Sequence, residues 1–94
     1  VGMDASGKCP DDLSEQFRLA FEHIGAILSE AGGDLSNIVE MTSYHIGMRE
    51  HIREFIAVKD ELISEPYPAW TAIGCTELAM PGAVVEIRAQ AVLS

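Results

Sequence analysis

Positive charge is scarce in this chain: six Lys and Arg stand against fifteen Asp and Glu among 94 residues, for a formal net charge of −9. Such a surface repels phosphate backbones, and no basic cluster interrupts the acidic background, so a nucleic-acid partner is not expected. Cysteine is also sparse. Cys9 and Cys75 stand far apart without a CxxC spacing, and no apolar leader-like stretch accompanies them, so a reducing cytoplasm is the expected compartment. No run approaches the roughly 18 apolar residues that a membrane span requires. What is abundant is apolar side chain, 48% of residues. A single domain spanning residues 1–94 leaves much of that surface near solvent unless it finds a partner, which makes an oligomer the expectation.

The opening VGMDASGKCPDD is rich in turn formers and reads as a strand end running into a loop. Asp12 can cap a helix with Glu15 three residues on, and Leu13, Phe17, Ala20, Phe21, Ile24, Ile27, Leu28 and Ala31 recur at helical spacing. Gly32-Gly33 stops this helix. From Asn37 to Ile46 the β-branched and aromatic content predicts a strand that Gly47 ends. The segment REHIREFIAVKDELI has a second amphipathic stripe, terminated by Pro66 and Pro68. Two more strands follow, 69–76 and 83–93, joined by a turn at Met80-Pro81-Gly82. In the last, Val85, Ile87, Ala89, Ala91 and Leu93 alternate with Glu86, Arg88 and Gln90, which predicts a helix-covered face and a polar one.

Few residues carry a chemical signal of their own. His23, His45 and His51 fall on three different elements, with no HxxxH or HxH spacing to bring two together, so each is read as a surface or satisfied histidine rather than a metal ligand. Cys75 lacks a Cys-His-Asn/Asp signature and reads as a small buried hydrophobe. Gly32-Gly33 is a helix cap and not a phosphate loop, and Asp11, Asp12 and Glu15 favour a helix N-terminus without further role. Glu86 has two readings: a solvated partner of Arg88, or a carboxylate that orients water in a cleft between subunits. Trp70, taken alone, is core or interface packing.

Longer stretches carry more. DDLSEQFRLAFEHIGAILSEAGGDLSNIVEMTSYH, FIAVKDEL and YPAWTAIGCTELAMPGAVVEIRAQAV together resemble the Rid family, also called YjgF/RidA and often labelled endoribonuclease L-PSP. The most specific parts are Glu15-Gln16, Ala31-Gly32 followed by Asp34 to Val39, Pro68-Ala69-x-Thr71, and Pro81-Gly82 leading to Val85-Glu86-Ile87. Within the family the likeness is nearest the YjgH-type branch, which similarly places Trp-Thr-Ala after the proline.

The resemblance implies a chorismate-mutase-like α+β fold, a mixed sheet with two helices packed on one face, assembled as a homotrimer with small-molecule clefts between subunits. It implies hydrolysis of reactive imines and enamines to a 2-keto acid and ammonia, with no metal or organic cofactor. The family glutamate that helps position water falls on Glu86. The arginine that grips the substrate carboxylate falls on Trp70, which cannot make two charge-assisted hydrogen bonds. Thr71 keeps the motif's hydroxyl. Trp70 is then expected to border the cleft as an aromatic wall with one N–H donor, suited to a flat or apolar ligand. Arg88 is a candidate displaced cation, and Tyr44, on the preceding strand, a candidate contact. The family also carries N-terminal strands ending in a Ser-Gly-Gln run just before Val1-Gly2, and these are expected to be missing from this chain. Three functions compete: an imine hydrolase using Glu86, a non-catalytic small-molecule binder, and a ribonuclease. The last is weakest, because no His or Lys general-base pair lies beside a basic groove.

Overall fold

A computed structural model describes residues 2–93; Val1 of the expected Val1-Gly2 junction lies outside them. The first helix, α1, is Leu13–Glu30, and the Asp12 side chain accepts a hydrogen bond from the backbone N–H of Glu15, as the capping pattern predicts. Gly32, at φ +87°, turns the chain out of the helix, and the Gly33 N–H returns to the Leu28 carbonyl. A single 3₁₀ turn, Leu35–Asn37, leads into β1, Ile38–His45. The second helix, α2, is Met48–Leu62, and β2 and β3 are Ala69–Gly74 and Val85–Ala91. Both late strands are shorter than their sequence pattern, with Thr76, Ala83 and Leu93 in the flanking loops.

Strand order is β2-β1-β3, so the two strands that flank the Met80-Pro81-Gly82 turn are not neighbours. β1 lies between them, parallel to β2 and antiparallel to β3, which makes the sheet mixed. Both helices pack on one face: Phe17, Ala20 and Phe21 of α1 and Phe55 and Val58 of α2 meet Ile38, Met41 and Val85 in one apolar core. Phe55 is its hub, with ring centroids 5.3 Å from Phe17, 5.6 Å from Phe21 and 4.7 Å from His45. The alternation expected in the last strand holds, with Val85 buried, Ile87, Ala89 and Ala91 half-buried, and Glu86, Arg88 and Gln90 exposed.

Gln16 shows why the helix start is so specific. Its amide is buried, donates to the carbonyls of Pro10 and Gly82, and accepts from the Val84 N–H at 2.7 Å. One side chain thus ties the first loop to the loop before β3, satisfying backbone groups that would otherwise be costly to bury.

Candidate functional site

Register fixes which residues share a face. On β1 and β2, Met41 pairs with Trp70 and Thr42 with Thr71; on β1 and β3, Thr42 pairs with Arg88 and Tyr44 with Glu86. Since paired residues point the same way, the face away from the helices presents two cross-strand rows. One runs Thr71, Thr42, Arg88; the next runs Ile73, Tyr44, Glu86. Four of the expected site residues are therefore gathered on one open surface: Glu86, Arg88, Thr71 and Tyr44. Between β1 and β3 a shallow depression of about 170 Å³ is lined by Glu40, Thr42, Arg88 and Gln90, among others.

Trp70 departs from that group. It pairs with Met41, on the face that packs against the helices, so its indole lies on Phe55 at 5.8 Å between centroids. An aromatic wall shared with Thr71 and Glu86 is not what forms, because adjacent residues of a strand point to opposite sides. Nor is the indole N–H free to meet a ligand, since it donates to the Ser43 hydroxyl at 2.8 Å.

That bond is the first of three. Ser43 Oγ lies 2.7 Å from His45 Nε2, and His45 Nδ1 lies 3.3 Å from His51 Nε2. The two histidines do meet, contrary to the expectation from their spacing. Gly47, at φ +65°, reverses the chain between β1 and α2 and folds the first turn of the helix back over the strand end. Because an indole N–H can only donate, the Ser43 hydroxyl accepts from it, and the same oxygen meets His45 Nε2. The His45 ring in turn links the hydroxyl to His51, so the four side chains form one continuous polar seam. Burial, and secondarily the neighbouring His51, push the His45 imidazole down to about 4. Burial lowers His51 as well, against the pull of Glu54 and Glu50. The Ser43–His45 contact has the spacing of a nucleophile and its base, yet both residues are fully buried. No substrate reaches them, and the seam serves to hold β1, β2 and α2 together.

His23 stays apart, bonded to the Met3 carbonyl at 2.7 Å. Among the described residues no three His, Cys, Asp or Glu converge as metal ligands, and no helix is long and apolar enough to cross a membrane. Cys75 is only half-buried, and its backbone N–H extends the β1–β2 ladder to the His45 carbonyl. Sequence reasoning missed Lys59, whose ammonium lies 4.9 Å from the Trp70 ring centroid; the α2 stripe gave no sign of it, since lysine belongs on a polar helix face.

Residues 1–93 match the family model described as Endoribonuclease L-PSP. The chain belongs to the endoribonuclease L-PSP family. This is the Rid family that the sequence resembles, and the chain is YjgH-like within it. It is 39% identical over 80 residues to the RutC family protein YjgH of Escherichia coli (strain K12), covering 84% of this chain and 61% of that protein. It thus spans less than two thirds of its relative. A solved structure of protein YjgH superposes with a TM-score of 0.87 at 37% identity, over 95% of this chain and 68% of that one. RidA from an Antarctic Psychrobacter species gives 0.87 at 30% identity, over 94% and 71%. The two helices on a three-stranded mixed sheet are the chorismate-mutase-like α+β fold of these L-PSP family members.

Proposed function

We propose that this L-PSP family chain forms a homotrimer whose open sheet face borders a small-molecule cleft between subunits, and that it hydrolyses imine- or enamine-like metabolites there. The observation that carries this reading is the pairing of Glu86 with Tyr44 one row from Arg88, Thr42 and Thr71, on the sheet face the helices leave bare. A carboxylate at that position takes a proton from water as the oxygen attacks the imine carbon. The C=N bond becomes C=O, the nitrogen leaves as ammonia, and no redox partner is consumed. Arg88 and the threonine hydroxyls supply donors for a polar ligand group. The similarity to RidA supports the reaction class, and the exposed Val39 and Ile73 support a subunit partner. Cytoplasmic location belongs to the same reading.

A second reading, a small-molecule binding protein without turnover, is favoured by Trp70, which brings no cation and whose one donor is committed to Ser43. The two separate on one variant. With the imine generated in situ from an amino acid, Glu86→Gln should abolish turnover while sedimentation shows the assembly unchanged. Turnover that survives, or a variant whose only defect is loosened assembly, makes the glutamate a structural group and favours binding alone.

A further inference from the structure

Lys59 is placed unusually for a lysine on α2. Its side chain is only 12% exposed, and its ammonium faces two rings, Trp70 at 4.9 Å and Tyr67 at 5.6 Å from their centroids. Attraction to an aromatic face holds a cation but satisfies none of its three N–H donors. The carboxylate it meets among the described residues is that of Asp60, the next residue in the chain, at 3.2 Å and itself 55% exposed. With its stem buried against the rings and one solvent-screened acceptor, the ammonium retains donors to spare. Asp60 also demonstrates what the position accepts: a carboxylate can reach the ammonium while the rings stay in place.

The walls match. Trp70 has its N–H turned inward to Ser43, so it presents hydrocarbon and π-surface, and Tyr67 is 57% exposed beside it. A flat apolar body against these rings, with a carboxylate on the ammonium, satisfies both. We propose that Lys59, Trp70 and Tyr67, at the start of the edge strand β2, form a binding site for a small flat carboxylate, with the Asp60 carboxylate as its internal competitor. The inference deepens the reading of the chain as a small-molecule protein, and so rests on it, but assigns the anion-binding charge to Lys59 rather than to Arg88.

Benzoate and benzamide are matched probes, alike in shape and different in charge. Calorimetric titration of the intact protein, followed in parallel by the fluorescence of Trp70, should show benzoate binding and benzamide weaker by roughly tenfold or more, as befits a charge-assisted bond. Lys59→Gln should remove the preference, Lys59→Arg should keep it, and Asp60→Asn should tighten benzoate by freeing the ammonium. A lysine that merely packs on the rings predicts no change with Asp60→Asn. Absence of benzoate binding to the wild type, or a preference abolished by Arg88→Gln and indifferent to Lys59→Gln, overturns the assignment. Benzoate binding that depends on Lys59 in a protein without imine turnover upholds this site and sinks the hydrolase reading alone.

Discussion

The two faces of the sheet are made by the same three strands and could hardly differ more. Under the helices, buried polar groups are few, and among the described residues every buried side-chain nitrogen and oxygen has a partner, as in the run from Trp70 through Ser43 and His45 to His51. On the bare face, Thr71, Thr42, Arg88, Tyr44 and Glu86 stand in rows, and Glu86, Arg88 and Thr71 are exposed. The lesson is that saturation marks structure and spare capacity marks function. A hydrogen-bonding group whose needs are met inside the protein has nothing left for a ligand, however reactive its residue type.

The contrast breaks most severely at Phe55, where four aromatic side chains converge. Phe55→Ala should cost about 3–5 kcal/mol in chemical denaturation, from lost transfer energy and the cavity left behind. Acid attacks the same face through His45. Its folded-state value of about 4 lies below the ordinary histidine value of 6.5, so the unfolded chain takes up the proton first as pH falls. Stability should therefore be full above about pH 6.5 and decline toward pH 4, by up to about 3 kcal/mol, with His51 adding in the same direction. A pH-independent unfolding midpoint across that window would contradict the buried neutral pair.

Ser43→Ala is gentler. It strands the indole N–H and His45 Nε2 in a dry interior, for an expected loss of about 1–3 kcal/mol, and the fluorescence of Trp70 should shift as its hydrogen bond disappears. Smallest is the effect of Glu86→Gln on folding, within about 0.5 kcal/mol, because the carboxylate is exposed and forms no ion pair among the described residues. A loss as large as that of Ser43→Ala would erase the distinction between the faces.

Much of this was legible in the chain itself. α1 announced itself through Asp12, its apolar stripe and Gly32, all local signals within a few turns. The division of β3 into Val85, Ile87 and Ala89 against Glu86, Arg88 and Gln90 follows from the two-residue period of a strand. The Rid resemblance rested on such stretches, including Glu15-Gln16, whose reason emerges only in the three bonds that Gln16 makes to distant backbone.

Other features have no local signature. His45 and His51 are six residues apart, one at the end of β1 and the other in the first turn of α2, so neither element's periodicity relates them, and they meet because Gly47 folds α2 back over β1. Trp70 and Thr71 look like joint members of one motif, yet a strand sends them to opposite sides, and pairing with Met41 decides which side holds the helices. Lys59 reaches Trp70 from a different element altogether. The sequence by itself determined the elements, the apolar stripes of the helices, the alternation of β3, the family and the presence of Glu86, because periodicity and motif are properties of neighbours along the chain. Only the tertiary structure decided that Trp70 belongs with Ser43 and Lys59 and not with Glu86, because strand order and register are contacts between residues the chain keeps far apart.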